Sequence, residues 1–223
     1  MRISESSLGV CCKRRGIDKL FGFEDILSAA SDDLTEEKTV KIFSELMDNK
    51  LIDMENEVIR VNALGQHVLN MMSDPDVFVV LENRTSQRKI RVYLRKTYYL
   101  CVMEEEGETG EKKLQIDYLP NLKLVVGAFA HALKPGTEPD EEKTTWDIQV
   151  NGMGLDKEGA PISEFTIYGD YEDALVAYQM QKTGDSDEQE EGKKELSDVI
   201  NMVTTWMFDM ISKTDESEVN END

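Results

Sequence analysis

The sequence predicts an α+β protein: a central antiparallel sheet flanked by N-terminal helices and by a C-terminal amphipathic helix. Three observations carry this. Apolar residues recur at helical spacing up to Met72, and the period changes to two after the break Asp74-Pro75-Asp76. Apolar runs then alternate with short polar turns, as in an antiparallel meander. Near the end, Leu196, Val199, Ile200, Val203, Trp206, Met207, Met210 and Ile211 trace one stripe of a helix over 193–213.

The elements follow in order. Residues 1–22 read as an N-terminal segment ahead of an α+β domain over 23–182. Phe23 to Ala30 is a short helix. Leu34 to Asn49 is a stronger one, capped by Thr35, with Glu36 and Glu37 in its first turn and Val40, Phe43, Leu46 and Met47 at helical spacing. Asn49 is its expected left-handed stop. Glu57 to Val61 reads as a strand or wing. Asn62 then caps a helix carrying Leu64, Val68, Leu69 and Met72. Residues 23–73 thus form a winged-helix-like layer.

Val77 to Leu81 is nearly all apolar, as for a strand buried on both faces. Lys89 to Arg95 alternates: Ile90, Val92 and Leu94 point one way, while Lys89, Arg91, Tyr93 and Arg95 point to solvent. Tyr98 to Met103 and Leu114 to Leu119 are strands around an acidic loop, Glu104 to Lys113. Pro120 opens a helix to Leu133, and Lys134 to Lys143 is a loop. Trp146 to Val150 and Ser163 to Tyr168 are strands joined through Gly152, Gly154 and Gly159. Asp170 caps a helix running to Lys182. The order strands-then-helix thereby occurs twice, at Asp117-Tyr118 and Asp170-Tyr171, which suits two related half-sheets. Residues 183–192 have almost no apolar side chain and read as a mobile acidic linker. Residues 214–223 read as a disordered tail.

The chain has 223 residues and a net charge of −21. Asp185 to Asp223 holds 13 acids and 3 lysines, so about half of that imbalance lies at the end. Such a field repels phosphate, so neither nucleic acid nor an anionic membrane is expected as a partner. Cys11, Cys12 and Cys101 form no metal-ligand or CxxC spacing, which is the usage of a reducing compartment. With neither a signal peptide nor a long apolar run, the expectation is a cytoplasmic protein without membrane insertion.

No catalytic signature appears. His67 and His131 lack a nucleophile or ligand partner at useful spacing. There is no nucleophile turn, P-loop or dinucleotide fingerprint. The acid pairs lie in polar loops. No enzyme activity, cofactor or metal is expected. Two surfaces suit binding. The basic strip Arg84–Lys96 holds six basic residues and no acid, and reads as a solvated face or as a docking face for an acidic partner, with Arg91 and Arg95 as contacts. The C-terminal stripe, with Trp206, Met207 and Met210, reads as core or as part of an adaptable groove for helical partners. A DNA-reading surface needs Lys or Arg, yet Asn62 to Ser73 contains neither.

The run from Ile42 to Asn83, "IFSELMDNKLIDMENEVIRVNALGQHVLNMMSDPDVFVVLEN", and the run from Lys89 to Leu133 resemble the EspG family, cytosolic chaperones of type VII (ESX) secretion systems. The shared pattern is a helix ending in Leu51-Ile52-Asp53, a connector, and the helix Ala63–Met72 closing on Asp74-Pro75-Asp76. The strands Val77–Leu81, Lys89–Arg95 and Tyr98–Met103, the acidic turn, Leu114–Leu119 and the helix Pro120–Leu133 follow. The resemblance covers about residues 34–135. Richness in Lys, Glu, Asp, Ile and Met fits a Firmicutes version. The resemblance implies a non-enzymatic chaperone or adaptor that keeps a secreted helical-hairpin protein soluble for export. The alternative is a winged-helix-like transcriptional regulator with a sensor domain.

Overall fold

The computed structural model describes residues 1–23, 25, 26, 30, 35–83, 88–95, 98–106, 112–119, 121, 124, 147–155, 160–170, 175–182, 189–195, 197–206 and 209. The fold is mixed α+β. It divides into two compact units, Met1–Pro75 with Val102–Asp117, and Asp76–Cys101 with Tyr118–Asp223. The first boundary falls at Pro75, where the sequence period changes.

In the first unit, strand β1 (Arg2–Ser4) leads directly into helix α1 (Glu5–Arg15). Residues 1–22 are therefore not a segment ahead of the domain: Ile3, Leu8, Cys11, Cys12 and Leu20 are buried core. Ser4 caps α1 by accepting from the Ser7 N–H, and Gly16 ends it at φ 66°, in the left-handed region. Helix α2 (Glu36–Asp48) starts at the Thr35 cap, whose side chain accepts from the Lys38 N–H. Its end differs from expectation. Asn49 has φ −85°, and the left-handed residue is Lys50, at φ 56°. Asn49 instead aligns its amide with β1, accepting from Arg2 N–H at 2.9 Å and donating to Arg2 C=O at 3.0 Å.

Where the sequence predicts one strand or wing from Glu57, strands β2 (Ile52–Glu55) and β3 (Val58–Val61) form a hairpin, with Asn56 and Glu57 both at positive φ. Helix α3 (Ala63–Ser73) begins at Asn62, which accepts from Gly65 N–H at 3.0 Å. Gly65 lets α3 approach Leu51 closely, because a Cβ there would strike the Leu51 carbonyl.

Five more strands precede the long region outside the described residues or border it. They are β4 (Val77–Asn83), β5 (Arg88–Arg95), β6 (Tyr98–Glu106), β7 (Lys112–Leu119) and β8 (Asp147–Leu155). Strands β9 (Pro161–Asp170), β10 (Leu175–Lys182) and β11 (Gln189–Glu195) follow. In the first unit the neighbours run β1-β7-β6, with Ile3 opposite Leu114. In the second they run β6-β5-β4-β8-β9-β10-β11. Helix α4 spans residues 197–206 and buries Val199, Val203 and Trp206, at helical spacing.

Several expectations are corrected here. The helix expected over 170–182 is strand β10, which alternates buried Val176, Tyr178 and Met180 with exposed Gln179. The second strands-then-helix echo disappears with it. The expected linker 183–192 ends in strand: Gln189–Glu195 pairs antiparallel with β10, and its charges suit the outermost strand of this order. The C-terminal helix therefore does not begin at Lys193. Gly152 and Gly154 lie within β8, and Glu104 to Glu106 within β6. Most of the helix from Pro120, the loop 134–143, most of the short helix from Phe23, and the tail 214–223 lie outside the described residues.

Candidate functional site

Of the sequence-derived contacts, Arg91, Arg95 and Trp206 are among the described residues, and Arg91 and Trp206 are buried. Strand β5 lies between β4 and β6, and both its faces are covered: Ile90, Arg91, Val92, Tyr93 and Leu94 are all buried. Arg91, expected on a solvent face, is 4% exposed. The Tyr93 ring lies 4.9 Å from Phe78, tilted by 36° and directly across the strand pair, and burial pushes its phenol far up. The alternation in Lys89 to Arg95 is real in sequence, but it does not mark a wet face. Arg95 is half-buried. Trp206 is 4% exposed and meets Phe165 edge to face, at 5.0 Å and 83°. Of the two readings left open for this stripe, core or groove, the burial of Trp206 is that of a core side chain. Met207 and Met210 lie outside the described residues.

Another surface is better formed, and it lies on α2. Ile42 and Leu46 face the core, whereas Val40 is 60% and Met47 46% exposed. Val40, Phe43 and Met47 are spaced i, i+3, i+7, so they share one side of the helix and make a stripe about 10 Å long. Phe43 is half-buried, with the Arg14 guanidinium 5.4 Å from its ring centre. Helical spacing places Val40, Phe43, Leu46 and Met47 together in the sequence; the fold turns Leu46 inward and leaves Val40 and Met47 outward. On the hairpin that follows, Met54 is 59% exposed.

A polar network holds α2 in place. One Glu45 carboxylate oxygen accepts from Ser4 N–H at 2.9 Å, from Ser4 Oγ at 2.8 Å and from Ser7 Oγ. Its other oxygen lies 3.5 Å from Lys113 Nζ. Burial pushes the Glu45 carboxyl up, but the donors from Ser7 and Ser4 and the Lys113 charge outweigh burial and hold it below the usual carboxylate range. The network joins β1, α1, α2 and β7 around one carboxylate. Glu45 projects about 140–160° round the helix from Val40, Phe43 and Met47, so the network anchors α2 on the side opposite that stripe.

The charge of this layer matters for what it can bind. Over residues 36–60, the exposed acids are Glu36, Glu37, Asp48, Asp53, Glu55 and Glu57, and the exposed bases are Lys38, Lys41, Lys50 and Arg60. The balance is negative where a phosphate-reading helix and wing would need it positive. Burial pushes the Cys11 and Cys12 thiols up to about 11 and about 12, so neither is a ready thiolate nucleophile. His67 lies half-buried on α3, and His131 is outside the described residues. Among the described residues no group of three or more His, Cys, Asp or Glu could hold a metal ion, and no helix is long and apolar enough to cross a membrane. Compared with models of known families and with curated proteins, the chain matches none.

Proposed function

We propose that this chain is a non-enzymatic binding protein: a cytosolic chaperone or adaptor that holds a secreted helical-hairpin protein for export by a type VII (ESX) system. The observation that carries the binding reading is the stripe Val40–Phe43–Met47, left outward on a helix whose other side is anchored. Apolar side chains at this spacing match the contact line of one helix packing along another. The secretion assignment is supported by the resemblance to the EspG family in the order of elements. Strong negative charge would also help keep a complex with an apolar substrate soluble.

The regulator reading draws on one feature, the hairpin β2–β3 directly after α2. The exposed charge of α2 and the hairpin weighs against it, because phosphate contacts dominate DNA affinity. The experiment is purification of the tagged chain from its native host, with identification of co-purifying proteins. A small helical protein encoded beside type VII machinery, held in a stoichiometric complex, is the expected result. Enrichment of specific DNA with no such protein would overturn the reading.

A further inference from the structure

We propose that the α2 stripe docks one amphipathic helix of a partner protein whose own apolar stripe is bordered by lysine and arginine. This deepens the binding reading above and rests on it. The structure provides the apolar line in Val40, Phe43 and Met47. At 100° per residue, Glu36 lies in line with the stripe, and Glu37, Ser44 and Asp48 border its outer side. Lys41 lies about 20° beyond Asp48, one turn after Glu37, and Lys38 lies further round the helix. On the inner border one cation, Arg14, is engaged over the Phe43 ring. The unit that carries α2 has 20 acids and 11 bases, a net of −9.

This charge pattern chooses among occupants. A second copy of the chain would bring acid to acid in either orientation. Parallel pairing sets the Glu36 and Glu37 turns against each other, and antiparallel pairing sets them against Asp48. Two units of the same sign would also repel at long range. A helix with basic borders meets Glu36, Glu37 and Asp48 with opposite charge and is drawn in by the same field. Rim charges of this kind act mainly on selectivity and association rate, while the apolar stripe supplies most of the affinity.

The test uses the full chain and two synthetic helical peptides with the same leucine stripe, one bordered by Lys and Arg and the other by Glu. Fluorescence anisotropy should show saturable binding of the basic peptide, weakening with salt, and binding of the acidic peptide at least about tenfold weaker. Val40→Glu with Met47→Glu, at exposed positions, should keep the circular dichroism spectrum and lose about tenfold or more in affinity. Glu37→Lys with Asp48→Lys should shift preference toward the acidic peptide. Val58→Glu on the hairpin should bind like the wild type. Absent binding, equal binding of both peptides, or undiminished binding by the Val40/Met47 variant overturns the proposal. So does a sedimenting dimer that this variant abolishes, which would assign the stripe to a second copy. If the host's co-purified helical protein binds this variant as well as the wild type, the docking face is wrong and the binding reading stands. If the wild type captures no such protein, the binding reading itself fails.

Discussion

Replacing Glu45 by alanine should destabilise the first unit by about 2–4 kcal/mol. The magnitude follows from the donors left behind. Ser4 N–H, Ser4 Oγ and Ser7 Oγ all converge on one carboxylate oxygen, and Ser7 is fully buried. The two hydroxyls, 2.9 Å apart, can satisfy each other in part. About two donors then remain without an acceptor, each costing roughly 1–2 kcal/mol. The Lys113 contact, at 3.5 Å and partly exposed, adds at most about 1 kcal/mol. In urea, with a slope of about 2 kcal/mol/M, the midpoint should fall by about 1–2 M. Glu45→Gln keeps an acceptor oxygen and should cost less. The pH dependence has a definite sign. The folded carboxyl is held below its ordinary value, so its stabilisation is present above the unfolded pKa, near 4.3, and is lost as pH falls through the lower folded value. The gap between wild type and Glu45→Gln should therefore be full at neutral pH and shrink in acid. An alanine variant within about 0.5 kcal/mol of wild type at neutral pH, or a gap that does not shrink in acid, would show that the Glu45 carboxylate does not hold these donors.

Other expectations can be checked directly. Cys11 and Cys12, buried and pushed up to about 11 and about 12, should resist Ellman's reagent at mild alkaline pH and react on unfolding in guanidinium; fast native labelling would contradict their burial. Glu57 sits at φ 64° in the hairpin turn, so Glu57→Gly should raise stability by about 1 kcal/mol, read from the urea midpoint, whereas a loss would mean the turn is not of this type. Trp206→Ala should destabilise the second unit by about 3–5 kcal/mol through loss of its packing on Phe165. If it abolishes partner capture with stability unchanged, Trp206 is a contact and not core.

The local chemistry of the first unit was legible because caps and turns act over a few residues. Thr35 followed by Glu36 and Glu37 announced α2, and Asn62 announced α3. The apolar run at Val77 announced a strand buried on both faces. The side of α2 that faces inward was harder to read. Val40, Phe43, Leu46 and Met47 all fit helical spacing, and only tertiary packing separates Leu46, with Ile42, from the outward stripe. Arg91 shows the same limit, because alternation reports two faces of a strand and not which of them is wet. Strand β10 had its signal in Val176, Tyr178 and Met180, overridden by the cap pattern at Asp170. Strand β11 had none: its seven residues are mostly charged, and its strand state comes from pairing with β10. The Glu45 network joins residues 4, 7, 45 and 113, which no local pattern connects.

We propose that this chain binds a helical protein and not DNA. The most direct test is a side-by-side titration of the full chain, at low salt, against the helical protein co-purified from its host and against labelled genomic duplexes. The expected result is a saturable one-to-one complex with the protein and no sequence-dependent DNA binding. Tight, sequence-dependent binding to a duplex, with no complex formed with the helical protein, would contradict it.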